Sequence, residues 1–302
     1  MYESLKKELR NFHLFILAFD QQAYIKLKEL DLDRVTVISL EEFEDEDLLR
    51  VKGDRTAAEY CWTCSSKAVL YILENFDVSE CTYVDADVCF FSDPSVLSGE
   101  LGDKDSVLIT AHRYSEYCDQ TVRSGKYCVQ FVTFKNNERG MKVLRWWVEK
   151  CIEWCFAVNE ENRFGDQKYL DFFHEKFEGV HDLEHAGGGV APWNVNQYSF
   201  REERGQIYMK EKISGNEAAL IFYHFHSLIF YNKDVIQLAG GMYRIPDTAI
   251  TSVYKRYIRY TEEVCRKYRL EQGFWKNENL FRDNDLDKLE HGKNYYQYSL
   301  FC

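Results

Sequence analysis

Two aspartates two positions apart, Asp85 and Asp87, stand in the segment Tyr83-Val-Asp-Ala-Asp-Val-Cys-Phe-Phe. Read as one extended strand from Thr82 to Phe91, the segment puts residues i and i+2 on the same side, roughly 6.5 Å apart along the chain. The two carboxylates then converge while the apolar flanks bury the strand. Such a pair suits Mg²⁺ or Mn²⁺ and leaves coordination positions open for phosphate oxygens. The plainer alternative is a strand end whose carboxylates cap the next turn; the apolar flanks and the Ser92-Asp-Pro94 turn favour the metal. A second segment, Ile221-Phe-Tyr-His224-Phe-His226, reads as a strand ending in two imidazoles on one face. Histidine is a more natural ligand for Mn²⁺ than for Mg²⁺, so His224, chosen over His226, is the expected third ligand and manganese the expected ion. Its alternative is a pair of hydrogen-bonded histidines at a strand end.

Other groups have chemistry to offer beside that centre. The loop Phe164-Gly-Asp166-Gln167-Lys168 presents a carboxylate and a bidentate amide, suited either to holding the hydroxyls of a ligand or to capping a helix. Gly187-Gly-Gly-Val-Ala-Pro192-Trp193-Asn194 has the makeup of a loop that lets backbone approach a ligand, with an aromatic plate and an amide beside it. It lacks the Gly-Lys-Ser/Thr ending of a phosphate loop. Arg55, Glu59 and Thr63 recur at four-residue steps, as a surface ion pair and its neighbour or as a polar stripe turned inward, with periodicity favouring the surface. His112 and Arg113 follow the strand Val107 to Ala111, at the end of an open α/β sheet where ligands bind.

The elements that must position these groups follow from hydrophobic periodicity. Residues 2 to 9 read as a helix, and Phe12 to Phe19 as a strand buried on both faces. A helix over Gln21 to Leu30 and a strand over Val35 to Leu40 follow, a β-α-β order that predicts a mostly parallel sheet. Thr56 to Asn75 and Met141 to about Phe156 carry helical apolar stripes. The three prolines, Pro94, Pro192 and Pro246, all sit at punctuation points. These patterns predict one α/β catalytic domain over residues 1–231 and a helical, aromatic-rich extension over 232–302 packed on it.

Composition narrows the classes. With 302 residues and 45% hydrophobic content the chain can bury a real core. A net charge of −12 provides no global positive field for nucleic acid, so a phosphate-bearing ligand has to be met by local cations or a metal. The start, Met1-Tyr-Glu-Ser-Leu-Lys-Lys-Glu-Leu, lacks the pattern of a signal peptide, and no apolar run is long enough to cross a bilayer. A cytoplasmic protein with reduced cysteines is expected, Cys61-Trp-Thr-Cys64 included, since no second C-x-x-C completes a zinc site. Tyrosines mixed with Lys255, Arg256, Arg259, Arg266 and Lys267 admit either a core-packed helix with a solvated basic face, the favoured reading, or peripheral contact with a membrane.

Taken in order, these motifs resemble the GT-A class of nucleotide-sugar glycosyltransferases, a Rossmann-like fold, and more narrowly bacterial proteins similar to glycosyltransferase family 8. The resemblance runs through Tyr-Glu-Ser-Leu in the first helix, Arg55-x-x-x-Glu59-Tyr-x-Trp62-Thr63, Tyr83-Val-Asp85-Ala86-Asp87, His112-Arg113, Gly165-Asp166-Gln167, Ala191-Pro-Trp193-Asn194 and His224-Phe. It implies that Asp85, Asp87 and His224 hold Mn²⁺ against the diphosphate of a UDP-sugar, with Tyr83 and Ala86 beside them. It further implies that Arg55, Asp166 and Gln167 face the donor sugar, with Asp166 and Gln167 nearest the chemistry, that Glu59 belongs to the donor site, and that His112, Trp193 and Asn194 lie nearer the sugar or a carbohydrate or glycolipid acceptor. Retention of anomeric configuration follows from family 8. Two departures stand out. Such proteins ordinarily begin with a strand ahead of the Tyr-Glu-Ser-Leu helix, absent from this sequence. Gln130, in Tyr127-Cys-Val-Gln-Phe, stands where an Asn-x-Gly pattern is typical, as the candidate replacement for a sugar-contacting amide. The alternatives are a sugar-phosphate nucleotidyltransferase, which usually carries a Gly-rich, basic phosphate loop near its start, and a non-catalytic scaffold of the same fold.

Overall fold

The computed structural model describes residues 1–160, 162–230, 235–270 and 294–297. Strands β1 (Leu14–Ala18) and β2 (Val35–Ser39) pair in parallel across helix α2 (Gln21–Leu30), which follows the short helix α1 (Tyr2–Glu8). Asp20 caps α2 by accepting from the Ala23 amide at 2.7 Å, which is why the strand stops there. Four of the five residues of β1 are only partly buried, against the expectation of burial on both faces. Among the described residues β1 and β2 hydrogen-bond to each other alone.

The central sheet has the order β3-β6-β5-β7, from β3 (Glu80–Val84), β5 (Val107–Ala111), β6 (Tyr127–Lys135) and β7 (Val180–Asp182). β6 runs antiparallel to both neighbours, and only β5 and β7 are parallel. The mixed α/β architecture is as expected, but its parallel character is confined to the β1–β2 and β5–β7 pairs. The physical reason lies in residues 112–126, which hold only two short helical turns; a parallel return needs a longer crossover, usually a helix.

The expected strand Thr82 to Phe91 is two strands. β3 ends at Val84, residues 85–87 turn, and β4 (Val88–Phe90) pairs antiparallel with β11 (Phe222–His224) in a different sheet. The Val88 amide donates to the Asp85 carbonyl at 3.2 Å to close that turn. β8 (Tyr198–Glu203), β9 (Gln206–Glu211) and β10 (Glu217–Ala219) form an antiparallel meander ahead of β11. A small sheet joins β12 (Ile229–Phe230), β13 (Val235–Gln237) and β14 (Tyr295–Gln297).

Two helices cover the central sheet. α3 (Ala57–Asn75) buries Val69, Leu70 and Leu73, and α4 (Glu138–Glu153) buries Leu144, Trp147 and Cys151 against Val107, Ile109, Val132 and Phe134. Burial of each such aliphatic side chain contributes about 1.5–3 kcal/mol. α4 stops at Glu153, before Cys155, where Trp154 becomes extended. A second core joins Phe91, Tyr223 and Phe225 to Val253, Tyr254 and Ile258, at the start of the helical run that continues as α5 (Lys255–Tyr268). Of the basic residues on α5, Arg256 bonds the Gly205 carbonyl and Lys267 pairs with Glu3 of α1 at 2.9 Å. The expected boundary at 231/232 and most of the aromatic-rich stretch beyond 270 lie outside the described residues. Among the described residues the nine cysteines are free thiols, and no helix is long and apolar enough to cross a membrane.

Candidate metal centre

The turn between β3 and β4 delivers Asp85 and Asp87 to the end of β11, where the strand register sets His224 opposite Val88. The carboxylates thus converge through a turn, where alternation along a single strand had been expected. Three backbone bonds lock the arrangement: Asp85 N–H to the Gln130 carbonyl at 3.3 Å, Phe225 N–H to the Asp87 carbonyl at 2.9 Å, and His224 N–H to the Val190 carbonyl at 2.9 Å. His224 Nε2 lies 3.0 Å from Asp87 Oδ1 and 3.7 Å from Asp85 Oδ2. One ligand atom from each of the three residues falls within 4.8 Å of the others, so the cluster can hold a metal ion. The His224 side chain is 7% exposed, Asp85 28% and Asp87 48%, which leaves the cluster open on the aspartate side.

Electrostatics divide the three. Burial pushes the Asp85 carboxyl up, and the nearby His224 charge offsets this only in part while Asp87 adds to it. Burial pushes Asp87 the same way, but the hydrogen bond and charge of His224 outweigh it and hold Asp87 below the usual range. Burial favours a neutral His224, yet the bond to Asp87, the Cys128 thiol and the two carboxylate charges together raise it well above an ordinary histidine. A buried imidazole facing two carboxylates through Nε2 is a donor set that can take a divalent ion.

Behind the cluster Gln130, fully buried on β6, accepts from His224 Nδ1 through Oε1 at 3.0 Å. Beside it Trp193 packs against three imidazoles, edge-on to His224 and His112 with centroids 5.3 and 5.2 Å away and tilted against His226 at 5.7 Å. His226 falls in the turn after β11, outside the three-ligand cluster. His112 stacks on Tyr114 at 4.5 Å and bonds the Lys126 carbonyl through Nδ1; burial pushes its pKa down to about 3, so the ring is neutral.

Asp166 is 6% exposed, bonds the Ser65 hydroxyl of α3 at 2.5 Å, and makes no cap bond to the short helix after it. Burial raises its pKa to about 7, opposed by Ser65 and reinforced by the charge of Asp85, which places the two carboxyls in one electrostatic environment. Tyr83 lies against Asp85, its phenol pushed well up by burial and then by Asp85 and Asp166. Gln167 donates to the Ser124 carbonyl at 2.6 Å. Trp62, half-buried on α3, covers Gly165, whose φ of +54° lies in the left-handed region that favours glycine and whose Cβ position is crowded by the indole at 3.3 Å.

Three expected contributors hold structure. Glu59 forms a capping box with Thr56 and accepts from the Ala157 amide at 2.8 Å, so its carboxylate ties the loop before Asp166 to the start of α3. Those backbone donors hold it below the usual carboxylate range, and at 8% exposure it is no surface ion pair. Arg55 lies over the Phe156 ring at 3.9 Å and donates to the Ile152 carbonyl. Asn194, fully buried, accepts from Ala191 N–H and donates to the His112 and Gly189 carbonyls at 2.8 and 2.9 Å, leaving little of its amide for a ligand. Sequence patterns missed Ser65 and the His224 contacts of Gln130 and Cys128, because each pairing spans more than 90 positions.

No protein-family model matches the chain. It is 33% identical over 273 residues to the uncharacterized protein YfnD of Bacillus subtilis (strain 168), covering 87% of this chain and 85% of that one. It is 31% identical over 233 residues to the uncharacterized protein YfnF of the same strain, covering 74% and 75%. The chain belongs to the YfnD family. Among solved structures it is similar to the glycosyltransferase GlyE of Streptococcus pneumoniae TIGR4, at 16% identity and a TM-score of 0.38 over 61% of this chain and 40% of GlyE. It is also similar to the galactosyltransferase LgtC in complex with donor and acceptor sugar analogs, at 12% identity and a TM-score of 0.38 over 63% and 69%. For an active-site mutant of LgtC the values are 12% and 0.42, over 74% and 80%.

Proposed function

We propose that this member of the YfnD family is a glycosyltransferase of the GT-A class that moves a sugar from a nucleotide-diphosphate sugar, a UDP-sugar, to a carbohydrate or glycolipid acceptor. The observation that carries this reading is the meeting of Asp85, Asp87 and His224 at one open-sided point, beside the Trp193 and His112 wall and the buried Asp166 carboxyl. Those three side chains would hold Mn²⁺, or Mg²⁺ as the second choice, which when bound supplies positive charge to the departing diphosphate.

The remaining steps belong to the chain's own residues. Trp193 and His112, both buried, form a ring pair beside the cluster that in this reading backs the sugar site and keeps water out of it. Asp166, with a pKa about 7, can accept a hydrogen bond from a donor-sugar hydroxyl when ionised or give one when neutral. Gln167 continues that edge, and Tyr83 and the Ala86 turn carry Asp85. Arg55 and Glu59 act at a distance, by fixing the ends of the loop that leads to Asp166. Residues 1–231 form the catalytic unit in this reading, with the extension from 232 completing the core behind His224.

The test is calorimetry with UDP in the presence and absence of Mn²⁺. Asp87→Ala is expected to keep its circular dichroism and to lose the Mn²⁺-dependent part of UDP binding, by tenfold or more. Equal affinity in the variant and the parent protein removes the reading.

A further inference from the structure

Gln130 is out of keeping with its strand. β6 reads Tyr-Cys-Val-Gln-Phe-Val-Thr-Phe-Lys, and every residue from Tyr127 to Phe134 is buried. A fully buried amide costs about 1–3 kcal/mol unless it is bonded, so an apolar residue would serve packing better. Gln130 makes one side-chain hydrogen bond, from Oε1 to His224 Nδ1 at 3.0 Å, and its Nε2 has no partner among the described residues. Its backbone carbonyl meanwhile accepts from the Asp85 amide. One residue of the central sheet therefore touches two members of the cluster, one in the turn after β3 and the other on β11 in a separate sheet.

A histidine that ligates through Nε2 keeps its remaining proton on Nδ1, and an acceptor at Nδ1 fixes that tautomer and the orientation of the ring. The amide oxygen is such an acceptor, and Nε2 of the same ring faces Asp87 and Asp85. We infer that Gln130 is a positioning residue, whose Oε1 holds a proton of His224 on Nδ1 and so turns Nε2 toward Asp85 and Asp87 as the atom left to ligate. The inference rests on the reading of this cluster as a metal site. It differs from the role that the resemblance implies for Gln130, contact with the sugar, because the amide oxygen is spent on His224 and the residue is fully buried.

Two substitutions separate the acceptor from the shape. Gln130→Met keeps the length of the side chain and removes the amide oxygen; Gln130→Glu keeps an oxygen acceptor. Long-range ¹H–¹⁵N spectra of histidine-labelled protein, metal-free and loaded with diamagnetic Zn²⁺, read which ring nitrogen of His224 carries a proton. The parent protein and Gln130→Glu are expected to show a protonated, exchange-protected Nδ1 in both states. Gln130→Met is expected to lose that protection and to bind Mn²⁺ about 10–100-fold more weakly, the usual effect of removing such an outer partner. The inference is overturned if the parent carries its only His224 proton on Nε2, or if Gln130→Met changes neither spectrum nor affinity. A parent protein that binds no divalent ion, with Nδ1 protection still lost in Gln130→Met, sinks the metal reading and leaves the placement of the proton standing.

Discussion

At the scale of single residues, two buried titratable groups flank the cluster and respond to pH in opposite directions. Asp166 is raised to about 7, so the folded protein holds a proton that the unfolded chain releases near pH 4; its contribution to stability falls as pH rises through that window. His112 is lowered to about 3, so between pH 3 and its unfolded value near 6.5 the unfolded chain holds the extra proton; its contribution falls as pH drops. From pH 4.5 to 6.5 the two slopes oppose each other. Asp166→Asn removes one of them, and the metal-free variant is expected to gain about 2–3 kcal/mol of stability across those two pH units, at about 1.4 kcal/mol per unit, relative to the parent's own change. Urea denaturation at the two pH values measures it, and parallel profiles in both proteins contradict the shift assigned to Asp166. The three residues of the cluster were legible in the sequence by side-chain type, two near aspartates and a histidine at a strand end, although a turn and not strand alternation brings the carboxylates together. The partners that tune them were not, since Ser65 with Asp166 and Gln130 with His224 meet only through the fold.

At the scale of elements, most helices and strands were legible from periodicity, and the informative miss is the break between β3 and β4. Both halves of Thr82 to Phe91 are apolar and no glycine or proline marks the turn, so the run reads as continuous. Aspartate is itself a turn former, and Asp85-Ala-Asp87 was the available signal. The mixed pairing of β6 was hidden for another reason: strand direction depends on the connection, and 112–126 carries no helical period long enough to decide. Glu59 is the element-scale counterpart, a residue with the composition of a surface charge and the duty of a bracket. Glu59→Ala removes the capping box and leaves the Ala157 amide without its acceptor. It is expected to cost about 1–3 kcal/mol. Thermal denaturation would read the loss, and hydrogen exchange should place it at the start of α3 and in residues 154–165; an effect spread evenly over the protein contradicts the bracket.

At the scale of the whole molecule, the helical run that follows Pro246 forms the back wall of the candidate site. Tyr254 bonds the Tyr223 hydroxyl at 2.8 Å, and Tyr257 stacks on Phe225 with ring centroids 3.7 Å apart. Tyr223 and Phe225 are the neighbours of His224 in the chain, and the Phe225 amide is the donor that holds the Asp87 carbonyl. Side chains on the far side of β11 thus set the position of two of the three cluster residues, although none of them reaches the open face. Tyr257→Ala removes a stacked ring from this wall and is expected to cost about 2–4 kcal/mol, in the range of large-to-small core changes. If the helical run after Pro246 and the residues around the cluster share one core, the loss appears as a single cooperative transition at lower temperature, and Mn²⁺ affinity weakens with it. Two separate transitions, with affinity unchanged below the first, would show instead that the helix from Lys255 folds as a unit apart from the cluster it backs.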